Sequence, residues 1–148
     1  MQVLYKHTQI AWPIIIPADL GALVCLYLVF AEDISGAAIG FFVLVLLTYL
    51  FYAMTVLGTD ETIQVKFGIG LIRRTFLIRD IETVEPFRTS FWHGWGIHYS
   101  PDGTVYNISG YEAVRLTMSS GKRYIIGTDD RNRLMRYIEA NRRARPTP

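Results

Sequence analysis

A single carboxylate stands inside the apolar part of this 148-residue chain. Asp19 is the one ionisable side chain in two long hydrophobic runs, and a charge held in oil is costly enough to be a candidate for proton or ion handling. The alternative is a hydrogen-bonded carboxyl near a helix start, with Thr48, Tyr49 and Tyr52 as the hydroxyls an antiparallel partner would bring to it. Elsewhere chemistry is sparse. His93 and His98 could share a metal but lack an evident third ligand. Asp80 with Glu82, and Asp129 with Asp130, read as strand-surface and helix-start charge rather than as a general acid and base. No Gly-rich phosphate loop, zinc-protease helix or Gly-x-Ser-x-Gly elbow occurs. The lone cysteine, Cys25, excludes an intrachain disulfide and a cysteine-based zinc site. The expectation is a protein that binds rather than catalyses, with no cofactor.

Two groups of side chains are candidates for that binding. Arg73, Arg74, Arg79, Lys122 and Arg123 form a basic set able to attract the negative leaflet of a membrane in a salt-dependent way. The run Phe87, Phe91, Trp92, His93, Gly94 and Trp95 is richer in large rings than a loop usually needs. Three readings stay open for it: an internal core plug and strand edge, a contact with the bilayer surface, or a pocket for a partner peptide. His98, a few residues on, belongs with this group.

These residues are carried by two unlike segments. The chain is 51% hydrophobic and 19% charged, with a mean hydropathy of +0.23, unlike a disordered tail or an ordinary soluble domain. Residues 1–57 hold one basic side chain, Lys6, against Asp19, Glu32 and Asp33, whereas residues 58–148 hold fourteen basic against ten acidic. A net charge of +2 is too small for a protein built to coat nucleic acid.

The first segment contains a 21-residue run, 10–30, broken only by Pro13, Pro17, Asp19 and Gly21, and a second, 37–57, broken only by Gly40, Thr48 and Thr55. At about 1.5 Å per residue either run covers the roughly 30 Å hydrocarbon core as a helix. The short link through Glu32 and Asp33 predicts two antiparallel transmembrane helices, so both chain ends lie on one side. That link has no Lys or Arg, while Lys6, Lys66, Arg73 and Arg74 flank the other ends, so the chain ends are expected in the cytoplasm. Tyr5 and Trp12 suit an interfacial belt, and Pro13 an opening helical turn. Ala18 with Ala22, Gly21 with Cys25, and Gly36 with Gly40 offer small-residue faces, either for packing this hairpin or for a second copy of the chain.

From Gly58 the pattern changes to alternation punctuated by turns, which predicts an all-β domain over 58–141. Ile63, Val65 and Phe67 mark the first of seven strands; the others lie near 71–78, 80–84, 96–100, 104–108, 114–118 and 124–126. Arg74 interrupts the apolar face of the second. Pro101, Asp102 and Gly103 signal a hairpin turn. Thr128 is expected to cap a closing helix with Leu134, Met135 and Ile138 on one face, followed by a basic, flexible tail over 142–148.

Seven short strands and one C-terminal helix follow the order of a pleckstrin-homology-like (PH-like) barrel or sandwich. The stretches Gly94-Trp95-Gly96-Ile97, Tyr106-Asn107-Ile108-Ser109-Gly110, Ala113-Val114-Arg115-Leu116 and Gly127-Thr128-Asp129-Asp130 resemble small bacterial membrane proteins in which two transmembrane helices precede a bacterial PH domain. The resemblance implies a multi-pass protein of the bacterial inner membrane, with a cytoplasmic module for protein interaction or assembly. His98 departs from that family, where Arg often follows Gly-Trp-Gly-Ile, which weakens an anion-binding role there. The turn over residues 68–70 is also shorter than the basic loop with which phosphoinositide-binding PH domains hold a headgroup. The partners expected are therefore the bilayer and a protein, with a second copy as one candidate and nucleic acid excluded. An accessory or small transporter subunit using Asp19 and an anionic-lipid sensor are the alternatives.

Overall fold

The computed structural model describes residues 3–90 and 94–143. Its first sheet has four antiparallel strands in the order β1 (Tyr5–Ile10), β2 (Ala53–Gly58), β3 (Thr62–Phe67) and β4 (Ile72–Leu77). Between β1 and β2 the chain leaves the sheet as α1 (Trp12–Ala31) and returns as α2 (Ala37–Phe51). The two strands pair from Tyr5 opposite Gly58 to Ile10 opposite Ala53, so a helical hairpin is inserted at the tip of a β-hairpin. The Ala11 N–H donates to the Tyr52 carbonyl at 2.9 Å and closes its root.

This arrangement corrects three expectations. Residues 53–57, assigned from sequence to the second span, belong to β2; the helix stops at Phe51 because the carbonyls of Tyr52 and Ala53 are taken by Ala11 and Gly68 of neighbouring chain segments. Tyr5 is no interfacial residue but a buried one, stacked on Tyr137 with ring centroids 5.4 Å apart. The sheet domain therefore begins before the helices, not after them.

The second sheet contains β5 (Ile81–Arg88), β6 (Gly96–Ser100), β7 (Gly103–Asn107), β8 (Glu112–Met118) and β9 (Arg123–Gly127), in the order β5-β8-β9-β7-β6. A 3-10 turn, Ile78–Asp80, leads into it from β4. Pro86, which has no N–H to give a ladder, sits in β5 at the sheet's edge. The turn at Pro101–Gly103 joins β6 to β7 as expected, but β7 then lies parallel to β9, Val105 opposite Ile125, a pairing that a string of hairpins would not produce. The seven strands expected after Gly58 are present as β3 to β9; β1 and β2 bring the described strands to nine, in two open sheets and not in a closed barrel.

The sheets face each other across one core that joins Val65, Phe67 and Phe76 to Leu116 and Ile126. The last helix, α3 (Arg131–Arg143), seals it with Leu134 and Ile138, both buried as their helical spacing requires. Each such side chain contributes about 1.5–3 kcal/mol when fully buried. Arg142 and Arg143, expected in a loose tail, form the last turn of this helix, and the Arg142 guanidinium donates to the Glu82 carbonyl. Thr128 holds the Asp130 N–H at 3.1 Å, three residues before the helix begins, so it shapes the approach and does not cap the first turn. Ile14, Ile15 and Phe51 at the hairpin root pack on the same core, making helices and sheets one continuous body.

Helix α3 is tied to the first sheet through tyrosine. The Tyr137 hydroxyl donates to the Thr59 carbonyl, and burial, with the Asp60 carboxylate as a smaller cause, pushes this phenol up to about 12. Burial also raises Tyr5, helped by Asp130. The folded state thus holds these protons more tightly than the unfolded chain, whose phenols release near 10. Stability is complete below that value and falls as the pH climbs toward about 12. Tyr137→Phe is expected to flatten this alkaline decline and to lose about 1 kcal/mol at neutral pH with its hydrogen bond. Urea titrations in detergent at about pH 8 and about pH 11 check both effects.

Candidate functional site

Beyond its root, and apart from Asp19 and Thr48, the helical hairpin presents apolar side chains around its surface, and the sheets do not cover it. Phe30 on α1 and Ile39 on α2 are 81% and 72% exposed, and no residue of α2 is buried. By length and composition α1 can cross a membrane; its twenty residues rise about 30 Å. The fifteen residues of α2 rise only about 22 Å. Helical backbone angles continue through Gly36 and Tyr52, one residue beyond each end.

Small residues bring the two helices together. Ala18 and Ala22 are buried, and a Cβ added to Gly21 or Gly40 would lie 3.0 Å from Leu44 Cδ1 or 3.1 Å from Cys25 Sγ. These faces are used within the hairpin. Beside them the Thr48 hydroxyl donates to Asp19 Oδ1 at 3.2 Å, while Tyr49 and Tyr52 are exposed nearer the root. An amide accepts the same bond, so Asp19→Asn is expected to change stability by less than about 0.5 kcal/mol. Asp19→Leu removes the acceptor and is expected to cost about 1 kcal/mol. Denaturant titration of the reconstituted chain separates these outcomes, and a large loss with Asn would show that the charge itself is used.

The basic residues do not form one face. Arg73 points outward from the first sheet beside Lys66, its register partner. Arg74 lies on the inward face opposite Val65, where its guanidinium reaches the sheet margin and stands 5.9 Å from the centre of the Tyr124 ring. This is how a charged residue interrupts an apolar strand face without being buried. Arg74 and Lys122 line an open cavity of about 300 Å³ with Thr75, Ser119 and Ser120. Arg123 instead donates to the Pro101 carbonyl at 3.3 Å, and Arg79 lies 3.6 Å from Asp80.

The aromatic run divides in the same way. Phe87 packs in a small cluster with Val105, Ala113 and Ile125 on the second sheet, under the Arg115 guanidinium. Phe91, Trp92 and His93 lie outside the described residues. Trp95 is exposed and begins a stripe continued on β6 by Ile97 and Tyr99, the last 90% exposed. Ile97 stands opposite Tyr106, a core residue, so this stripe extends the core-forming face of the second sheet beyond the cover of the first. His98 points to the other face, half-buried opposite Val105. Among the described residues no three His, Cys, Asp or Glu side chains gather as a metal-binding group.

A junction that sequence reasoning missed ties β1 to the start of α3. The His7 imidazole bonds to Asp129, and Tyr5 donates to Asp130 at 3.5 Å. With its amide turned to suit its neighbours, Gln9 accepts from the Asp129 N–H at 2.9 Å and donates to the Gly127 carbonyl at 3.3 Å. The alternation of Tyr5, His7 and Gln9 was the available signal, hidden because the inward side chains carry polar ends. A second cavity, about 700 Å³, opens beside the C-terminal end of α3 between Glu61, Glu82, Glu139 and Arg142. No family model, no curated protein and no solved structure matches this chain.

Proposed function

We propose that this chain is a non-enzymatic, membrane-anchored module for protein interaction or assembly. In this reading α1 and α2 lie in the bilayer of a bacterial inner membrane and hold a PH-like domain at its cytoplasmic face. The observation that carries the reading is the exposed apolar surface around both helices, whose root packs on the core of a folded domain. The orientation is supported by the acidic link, Glu32 and Asp33, opposite a root flanked by Lys6, Lys66 and Arg73. The short α2 is accommodated by local thinning or by interfacial anchors at the root. Two sheets closed by one C-terminal helix support the PH-like assignment, while the parallel β7–β9 pair is a departure from a simple meander.

The partner surface is the stripe on β6. Among the described residues β6 ends the second sheet, and Ile97 and Tyr99 present exposed apolar area along it, which suits docking by another protein or by a second copy. Photo-crosslinkers placed at Ile97 and Tyr99 in native membranes are expected to give one discrete adduct, whose mass reads partner and stoichiometry. A probe at Leu57, on the outer face of the first sheet, should give none. Equal, diffuse labelling from all three positions contradicts the assignment. The hydrogen bond from Thr48 to Asp19 supports a structural role for that carboxylate over a transport role. The Arg74 and Lys122 cavity lies at the end of β4 away from the hairpin, with Leu77 and Asp80, which disfavours contact with the same bilayer.

A further inference from the structure

The turn between β3 and β4 stands at the foot of the helical hairpin. Gly68 has φ +48°, and a Cβ there would lie 2.4 Å from the Leu50 carbonyl oxygen and 2.6 Å from that of Tyr49, so the turn abuts the last turn of α2. Its N–H donates to the Ala53 carbonyl at 2.7 Å, fixing the height. From this turn Ile69 and Leu71 project with 48% and 73% of their surface exposed. Trp12 is exposed at the start of α1, beside the same root.

Two residues beyond Leu71 along the strand, about 7 Å, comes Arg73, paired in register with Lys66. Thr55 and Thr8 complete that row across the sheet. Lys6 lies one step farther out, and no Asp or Glu occurs on the outward positions of β1 to β4. An apolar rim is thus followed by a row with cations only, the sequence of environments met on moving from acyl chains to phosphates.

We infer that the β3–β4 turn is a second membrane contact: Ile69 and Leu71 enter the interfacial layer while Lys66 and Arg73 meet lipid phosphates. The partner is the anionic bilayer surface. This inference rests on the proposal that the hairpin is embedded in a bilayer, and goes further by fixing which edge of the domain lies on the lipid. With two helices and one turn as three points of contact, the domain is held at a set tilt.

The test uses the full chain in a Cys25→Ser background, reconstituted into vesicles of phosphatidylcholine and phosphatidylglycerol. An environment-sensitive fluorophore is attached in turn through Ile69→Cys, Leu71→Cys, Leu46→Cys and Ser120→Cys. Ser120 lies beyond the opposite end of β4, on the turn after β8. Lipids with a quencher near the headgroup are expected to cause a loss of emission at 69 and 71 but not at 120, and a mid-chain quencher a loss at 46. Adding Lys66→Glu and Arg73→Glu should reverse the blue shift at 71. Quenching at 46 without quenching at 69 and 71 overturns this inference and leaves the anchor standing. Absence of quenching at 46 overturns the anchor and this inference together.

Discussion

Gly68→Val is expected to destabilise the folded chain by at least about 3 kcal/mol and to loosen the helices from the sheet. A β-branched residue at positive φ costs about 1–3 kcal/mol by itself. The Cβ would also meet the Leu50 and Tyr49 carbonyls, backbone atoms that end α2 and cannot rotate away. Gly70 provides the comparison: its φ is +88°, but its nearest neighbour is the flexible Lys66 side chain at 3.9 Å. Gly70→Val should therefore carry the backbone strain alone. Denaturant titration in detergent, with limited proteolysis near residue 52, reads the difference. Equal midpoints for the two variants would show that the turn does not bear on α2.

The largest expected effect follows from placing charge on the hairpin. Leu23 and Leu46 are exposed on α1 and α2, and each Arg at the centre of a membrane helix costs about 2.5–3.5 kcal/mol on the insertion scale. Leu23→Arg with Leu46→Arg is expected to shift the chain from a carbonate-resistant membrane pellet to the soluble or degraded fraction. Thr75→Arg, an exposed change on the outer face of β4, should leave it in the pellet. A doubly charged chain that still resists carbonate would mean these faces do not meet lipid.

Strict alternation made most of the soluble part legible. Ile63, Val65 and Phe67 face the core in β3, and Val114, Leu116 and Met118 do so in β8. Strand β2 was hidden because 53–57 prolongs the apolar run of α2 without a breaker; its end is imposed by tertiary hydrogen bonds that a local pattern does not carry. Strand β1 was hidden by Gln9 and His7, whose polar ends serve the start of α3. The parallel pairing of β7 with β9 depends on where β8 goes, which alternation alone does not encode. For the candidate sites, depth matching in an antiparallel hairpin brought Asp19 to Thr48. Grouping by charge failed for the basic set: neighbours in sequence on a strand face opposite ways, so Arg73 and Arg74 part company.

Topology in intact bacterial cells tests the central claim most directly. In a Cys25→Ser background, Ser35→Cys lies in the link between the helices and Ser120→Cys in the sheet domain. A membrane-impermeant maleimide is predicted to label position 35 in intact cells and position 120 only after lysis. Labelling at 120 in intact cells, or none at 35 until the membrane is broken, would contradict a two-helix anchor with its domain on the cytoplasmic side.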